Sequence, residues 1–166
     1  MRTATLFTSV LALSGCTSVR LPADPGAQLD PVAFFTGRTA GQGELHQLFA
    51  APRAMRVDSI GHRSAASGLL LIQRITQQSK PARIRQWIMQ PVSPGRYSGS
   101  LTEAVGRVTL VVSGPRAEVR YRMKGGLLVR QQLALQPGGR TLLNHLEVTK
   151  FGLRVAHVEE VIRKLP

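Results

Sequence analysis

An all-β fold of about eight to ten antiparallel strands, closed as an up-and-down barrel or bent into a strongly curved sheet, follows from three features of this 166-residue chain. Beyond Thr39 the residues fall into runs of roughly seven to ten in which apolar side chains alternate with polar ones, the period of a strand with one buried face. Clusters of Gly, Pro, Ser and Lys separate the runs. Apolar residues make up 43% of the chain and aromatic ones 5%, which supplies one core in one domain and argues against wholesale disorder. A two-sheet sandwich is the alternative arrangement of the same strands.

The first segment reads as an address rather than as part of the fold. Arg2 supplies a short positive start, and Leu6 to Leu13 is apolar but shorter than the roughly 20 residues needed to span a bilayer. Leu13-Ser14-Gly15-Cys16 follows, and Cys16 is the chain's single cysteine. These features together resemble the lipobox of bacterial lipoproteins. The resemblance implies removal of residues 1–15 as a signal peptide and acylation of Cys16, with the acyl chains holding the protein to a membrane of the cell envelope. Thr17, rather than Asp, follows Cys16, which by the same analogy points to the outer membrane facing the periplasm. A signal peptide cleaved without lipidation is the nearest rival. Residues 16–33 contain Pro22, Pro25, Gly26 and Pro31 and no apolar period, as expected of the lipidated Cys and a flexible tether. A single β domain is then expected over 34–166.

Within that domain the clearest strand is Ala117 to Lys124. Val119, Tyr121 and Met123 share one face, and Glu118, Arg120, Arg122 and Lys124 the other. Further strands are expected near 41–49, 54–60, 68–76, 83–90, 96–104, 106–113, 127–135 and 141–150. Pro94-Gly95, Gly125-Gly126 and Pro137-Gly138-Gly139 supply turn chemistry between them. Leu153 to Leu165 fits both periods, and its β-branched Val155, Val158, Val161 and Ile162 favour a final strand over a short closing helix.

Short landmarks run through these strands: Phe35-Thr36-Gly37, Gly41 to Leu45, Arg85-Gln86-Trp87, Tyr97-Ser98-Gly99, and Asn144 six residues before Lys150-Phe151-Gly152-Leu153-Arg154-Val155. Together they resemble an uncharacterised bacterial lipoprotein family, domain of unknown function 3833, over residues 34–164. The resemblance implies a lipocalin-like barrel. Around the third strand, where that family would carry acids, this chain has Gln73, Arg74 and Gln77.

Chemistry is less explicit than architecture. A net charge of +13 raises nucleic acid as a partner. Eighteen of the 22 cations are Arg, however, spread from Arg2 to Arg163 without a dense block or an aromatic platform, and no nucleic-acid partner is expected. Anionic phospholipid head groups or acidic envelope polymers suit such a surface better. Trp87, Tyr121, Asn144, Lys150, Phe151 and Arg154 are the candidate ligand contacts, with Lys150 and Arg154 gripping an anionic head group. The alternative for Lys150 to Arg154 is a tight turn in which Gly152 takes a positive φ and Phe151 plugs the barrel end, and Asn144 in that case only bridges strands.

His46, His62, His145 and His157 show no metal-site spacing and are expected at the solvated surface, with no metal and no cofactor. Gly41-Gln42-Gly43 lacks the strand, turn and helix of a dinucleotide site, and no Gly-x-Ser-x-Gly occurs. The apolar faces, with Leu69 to Ile72, Ile75, Trp87 to Met89, Leu127 to Val129 and Leu133, are expected to fill the interior, the alternative being a cavity for an acyl chain. These readings lead to the expectation of a non-enzymatic, membrane-anchored envelope lipoprotein that binds a lipid or other amphiphile. A scaffold that recruits an envelope protein, or an enzyme using Glu103, His145 and Glu147 on one lumen, are the alternatives.

Overall fold

The computed structural model describes residues 21–166, so Cys16 and the expected signal peptide lie outside the described residues. Ten strands form one closed antiparallel barrel in chain order: β1 (Gly37–Gln47), β2 (Ala50–Arg63), β3 (Leu69–Gln77), β4 (Lys80–Ser93), β5 (Arg96–Leu101), β6 (Val108–Ser113), β7 (Arg116–Met123), β8 (Leu127–Leu135), β9 (Thr141–Lys150) and β10 (Leu153–Lys164). Closure is made by β1 on β10, paired from Thr39 opposite Lys164 to Gln47 opposite Ala156. The all-β barrel is therefore as expected, and the sandwich is set aside. The ambiguous last segment is a strand because both of its edges are taken, by β9 and by β1.

Alternation fixes which side chains face inward. In β7, Ala117, Val119 and Tyr121 are buried, while Glu118 faces out between Arg120 and Arg130, with Arg130 Nε 2.6 Å from its carboxylate. Burial raises the Glu118 carboxyl, but the two guanidiniums outweigh it and hold the group below its usual range. The same period corrects part of the expected core. Leu69, Leu71 and Met89 point inward, whereas Ile72, Ile88 and Leu128 stand on the outer wall, 40, 41 and 48% exposed. A continuous apolar run on a strand must put every second residue on the other face.

The two ends of the barrel differ. One is closed by a short helix, α1 (Pro31–Phe35), with Asp30 as its N-cap accepting from the Ala33 amide at 3.0 Å and Pro31 at the first turn, where no amide hydrogen is needed. Leu29, Val32, Phe34 and Phe35 are all buried there. The expected tether is thus corrected over 29–33, which packs as part of the domain. Lys164, at the end of β10, donates from Nζ to the carbonyls of Ala33, Phe34 and Thr36 at 2.7, 2.9 and 2.8 Å, locking the plug to the wall. Gly61 lets the wall meet it, since a Cβ there would collide with the Phe35 carbonyl. At the other end lie the β1–β2, β3–β4, β7–β8 and β9–β10 turns, around the mouth.

Candidate functional site

A cavity of about 650 Å³ runs from the plug to the mouth, which corrects the expectation of a filled interior. Ten strands enclose more space than eight, and interior width grows with strand number. The volume falls in the range of small-molecule sites. Pro31, Val32 and Phe35 floor it, and Leu71, Trp87, Met89, Val129, Leu133 and Val148 supply much of its apolar wall.

Of the six candidate contacts, the barrel brings Trp87, Tyr121 and Asn144 together on this lumen. Trp87 Nε1 donates to Gln73 Oε1 at 2.7 Å, and Gln73 Nε2 donates to Ser59 Oγ at 3.3 Å, so the indole is held by a chain across three strands. Tyr121 meets Trp87 edge-on, with centroids 5.8 Å apart at 88°. Burial pushes the Tyr121 phenol above its ordinary value.

Asn144 lies directly opposite Glu160 on β10 and donates from Nδ2 to Glu160 Oε2 at 2.8 Å. It bridges strands, as one reading had it, and also faces the cavity. Glu160 is the residue that sequence reasoning missed. It is 8% exposed, and burial raises its carboxyl above the usual range, against the opposing pull of Asn144 and Arg85. Its niche is cut by Gly41 and Gly43 on β1, where any Cβ would strike the Glu160 side chain or its backbone. The pair of glycines therefore has a steric purpose: it admits a carboxyl to an apolar wall. A signal was available, because Glu160 interrupts the inward-facing series Val158, Glu160, Ile162.

Nearby, Arg85 lines the lumen and binds Glu103 through Nε at 2.7 Å and through Nη2 at 2.6 Å. Asn144 Oδ1 and Gln131 Oε1 are buried acceptors without a hydrogen-bond partner, and both belong to cavity-lining residues. The lumen is thus mostly apolar, with Gln73, Arg85, Gln131, Asn144 and Glu160 set in its wall and Gln47, Arg53, Gln77, Lys80 and Arg83 towards the mouth, a composition that suits a small-molecule ligand.

The other three candidates are elsewhere. Lys150, Phe151 and Arg154 stand at the β9–β10 turn on the mouth rim, outside the cavity lining. Gly152 has φ 80° as the turn reading expects, but Phe151 is 91% exposed and plugs nothing; α1 is the plug. Lys150 Nζ lies 5.5 Å from the Phe151 ring, and Arg154 Nη1 lies 3.4 Å from Glu147.

The histidines also depart from expectation. His46, His145 and His157 converge on the outer wall, where the His46 and His157 rings stack at 4.5 Å and His145 lies 6.0 Å from His157. His145 is 4% exposed, so the expected solvated position is corrected for it. Burial lowers the His157 pKa, and the neighbouring cations add to that. Among the described residues no group of three or more His, Cys, Asp or Glu is placed to hold a metal ion. Nor do Glu103, His145 and Glu147 share a lumen: His145 and Glu147 face outward, alternating with cavity-lining Asn144, Leu146 and Val148.

Solved structures share the barrel. The S-type phycobiliprotein lyase of Guillardia theta superposes with a TM-score of 0.65 at 6% identity, covering 81% of this chain and 90% of that one. A protein of unknown function from the DUF3598 family of Nostoc punctiforme superposes with a TM-score of 0.60 at 10% identity, covering 84% of this chain and 50% of that one. At such identities the likeness is one of fold. It nevertheless corrects the expectation of a non-enzymatic protein, because a phycobiliprotein lyase has this barrel, and the fold is no ground for excluding catalysis. A search of curated proteins found no match. The family described as "Protein of unknown function (DUF3833)" matches residues 10–164, nearly the whole length, and the chain belongs to that family.

Proposed function

We propose that this protein holds a lipid or other single-chain amphiphile in its lumen, as a lipoprotein anchored to the bacterial envelope through Cys16, in the outer membrane facing the periplasm. The cavity carries the first part: about 650 Å³ of apolar wall closed at one end by α1, with Glu160, Asn144 and Gln131 as polar groups inside it. Each methylene of an acyl chain moved from water into such a wall contributes about 0.8 kcal/mol, so chain length dominates affinity. The polar groups orient one end of the ligand. The second part is motivated by Leu13 to Cys16.

The test uses the chain from residue 16 with Cys16→Ser, since barrel and plug lie wholly within 21–166. Native mass spectrometry is expected to show a bound lipid, and a fluorescent fatty acid should enter and be displaced by Leu71→Trp or Val129→Trp, which fill the tube. An empty spectrum with no probe uptake would end the lumen reading. For the anchor, metabolic labelling with palmitate should mark the wild-type chain and spare Cys16→Ser.

A further inference from the structure

The mouth of the barrel carries an apolar and cationic rim, of which Leu48 and Lys80 also line the cavity while Phe49, Lys124, Lys150, Phe151, Leu153 and Arg154 stand outside it. Phe49, in the β1–β2 turn, is 97% exposed and Phe151, in the β9–β10 turn, 91%. Among the described residues these are the two exposed aromatics. They sit on adjacent hairpins, because β1 pairs with β10 and the Leu48 amide donates to the Val155 carbonyl at 2.9 Å. Leu48 and Leu153 flank them at 55 and 70% exposed. Both phenylalanines hold positive φ, 61° and 50°, a conformation that large side chains rarely take. A strained backbone that presents two naked rings needs something to receive them. Around these tips stand Lys80, Lys124, Lys150 and Arg154, on four of the turns' flanking positions. The acids near this end already have partners, Glu44 in His46, Glu103 in Arg85 and Glu147 in Arg154 and His145.

We infer that this rim docks onto an anionic phospholipid bilayer, with Phe49 and Phe151 inserted below the head groups and the surrounding cations on the phosphates, so that the lumen opens onto the lipid. Aromatic tips ringed by cations match the layering of such a surface, apolar beneath and negative above. A protein partner would call for a contiguous shaped face, whereas these are separate protrusions. Orientation adds a consequence. Leu21 lies at the closed end, where its carbonyl accepts from Arg116, and the five steps back to Cys16 span at most about 18 Å. The barrel wall is about 25 Å tall, from strands that average about ten residues at the usual tilt. The rim of an anchored molecule therefore addresses a bilayer surface other than the one holding Cys16.

The experiment sediments the chain from residue 16 carrying Cys16→Ser with vesicles of phosphatidylcholine alone or mixed with phosphatidylglycerol. Binding should require the anionic lipid and weaken as salt is raised. Phe49→Ser with Phe151→Ser should lose about tenfold or more in partitioning, the scale of one buried aromatic ring. Lys150→Glu with Arg154→Glu should lose binding too, while Arg38→Glu with Arg163→Glu, the same charge change at the closed end, should keep it. Rim variants that bind like the parent would overturn the inference. Equal loss in the closed-end variant would also overturn it, since adhesion would then follow net charge alone. Fatty-acid uptake by the same proteins reads the lumen separately, so failure of one reading does not masquerade as failure of the other.

Discussion

The closed and open ends of this barrel are built from the same strands, yet they treat their phenylalanines in opposite ways. At the closed end Phe34 and Phe35 meet edge-on, with centroids 5.0 Å apart at 78°, and both are buried. At the mouth Phe49 and Phe151 stand in water on positive-φ turns. Residue type alone does not separate the two pairs. What separates them is whether a second layer of chain crosses the end: residues 21–36 cross one end, and hairpin tips rim the other. Stability should therefore be concentrated at the plug and surface chemistry at the rim.

The largest expected effect tests that division directly. Phe35→Ala should destabilise the barrel by about 3–5 kcal/mol, the usual loss for a buried aromatic. Phe151→Ala should change stability by no more than about 0.5 kcal/mol. Urea denaturation of the two variants checks the contrast, and similar midpoints for both would erase it.

Next in size is the hook that holds the plug. Lys164→Met keeps the aliphatic stem but removes the ammonium that serves three carbonyls. The expected loss is about 2 kcal/mol, within the range for hydrogen bonds to a charged group. Amide exchange should quicken in Val32 to Thr36 before it does so in the strands. Uniform quickening across the barrel would mean that the plug does not move separately.

The strands were legible because alternation is a local property, and β7 and β10 could be read from their own residues. The plug was not. Five residues are too few for a helical period, and a proline-rich approach reads as linker, although Asp30-Pro31 carries the start signal of a helix. Of the six candidate contacts, Trp87, Tyr121 and Asn144 lie on the lumen, while Lys150, Phe151 and Arg154 lie on the rim; one list mixed two places. Phase along a strand tells inside from outside but not depth along the barrel axis. The niche for Glu160 was hidden for another reason. Gly41 and Glu160 are 119 positions apart in sequence, and only the β1–β10 register, with Gly41 opposite Ile162 and Gly43 opposite Glu160, brings them together. Whether the interior would be full or open depended on how many strands closed the ring.

A smaller effect sharpens the lumen side of the comparison. Glu160 has its pKa raised in the folded protein, so the native state holds that proton more tightly than the unfolded chain does. Its contribution is fully present below the unfolded value of about 4.3 and is lost as pH rises through the folded value. Glu160→Gln keeps a partner for Asn144 and does not titrate. The variant should gain stability relative to wild type as pH rises from about 4 towards neutrality, and then hold that gain. A relative gain that shrinks over the same range would contradict the buried carboxyl.

The smallest effect returns to the mouth and runs against intuition. Phe151 occupies φ 50° at the β9–β10 turn, beside Gly152 at φ 80°. A left-handed residue with a Cβ carries about 1–2 kcal/mol of strain that glycine avoids. Glycine also enlarges the freedom of the unfolded chain, which takes back about 0.4–1 kcal/mol. The exposed ring contributes little packing to offset the strain. Phe151→Gly should therefore leave the barrel as stable as wild type or up to about 1 kcal/mol more stable, as read by thermal melting, while weakening attachment to anionic vesicles. Phe49→Gly should behave alike, because Phe49 has φ 61° and is almost wholly exposed. A variant that melts higher but docks less well would show that these turns give up stability to present their rings. If Phe151→Gly instead destabilised the barrel by more than about 1 kcal/mol, as lost packing would, the ring would belong to the structure of the mouth and the contrast between the two ends would narrow.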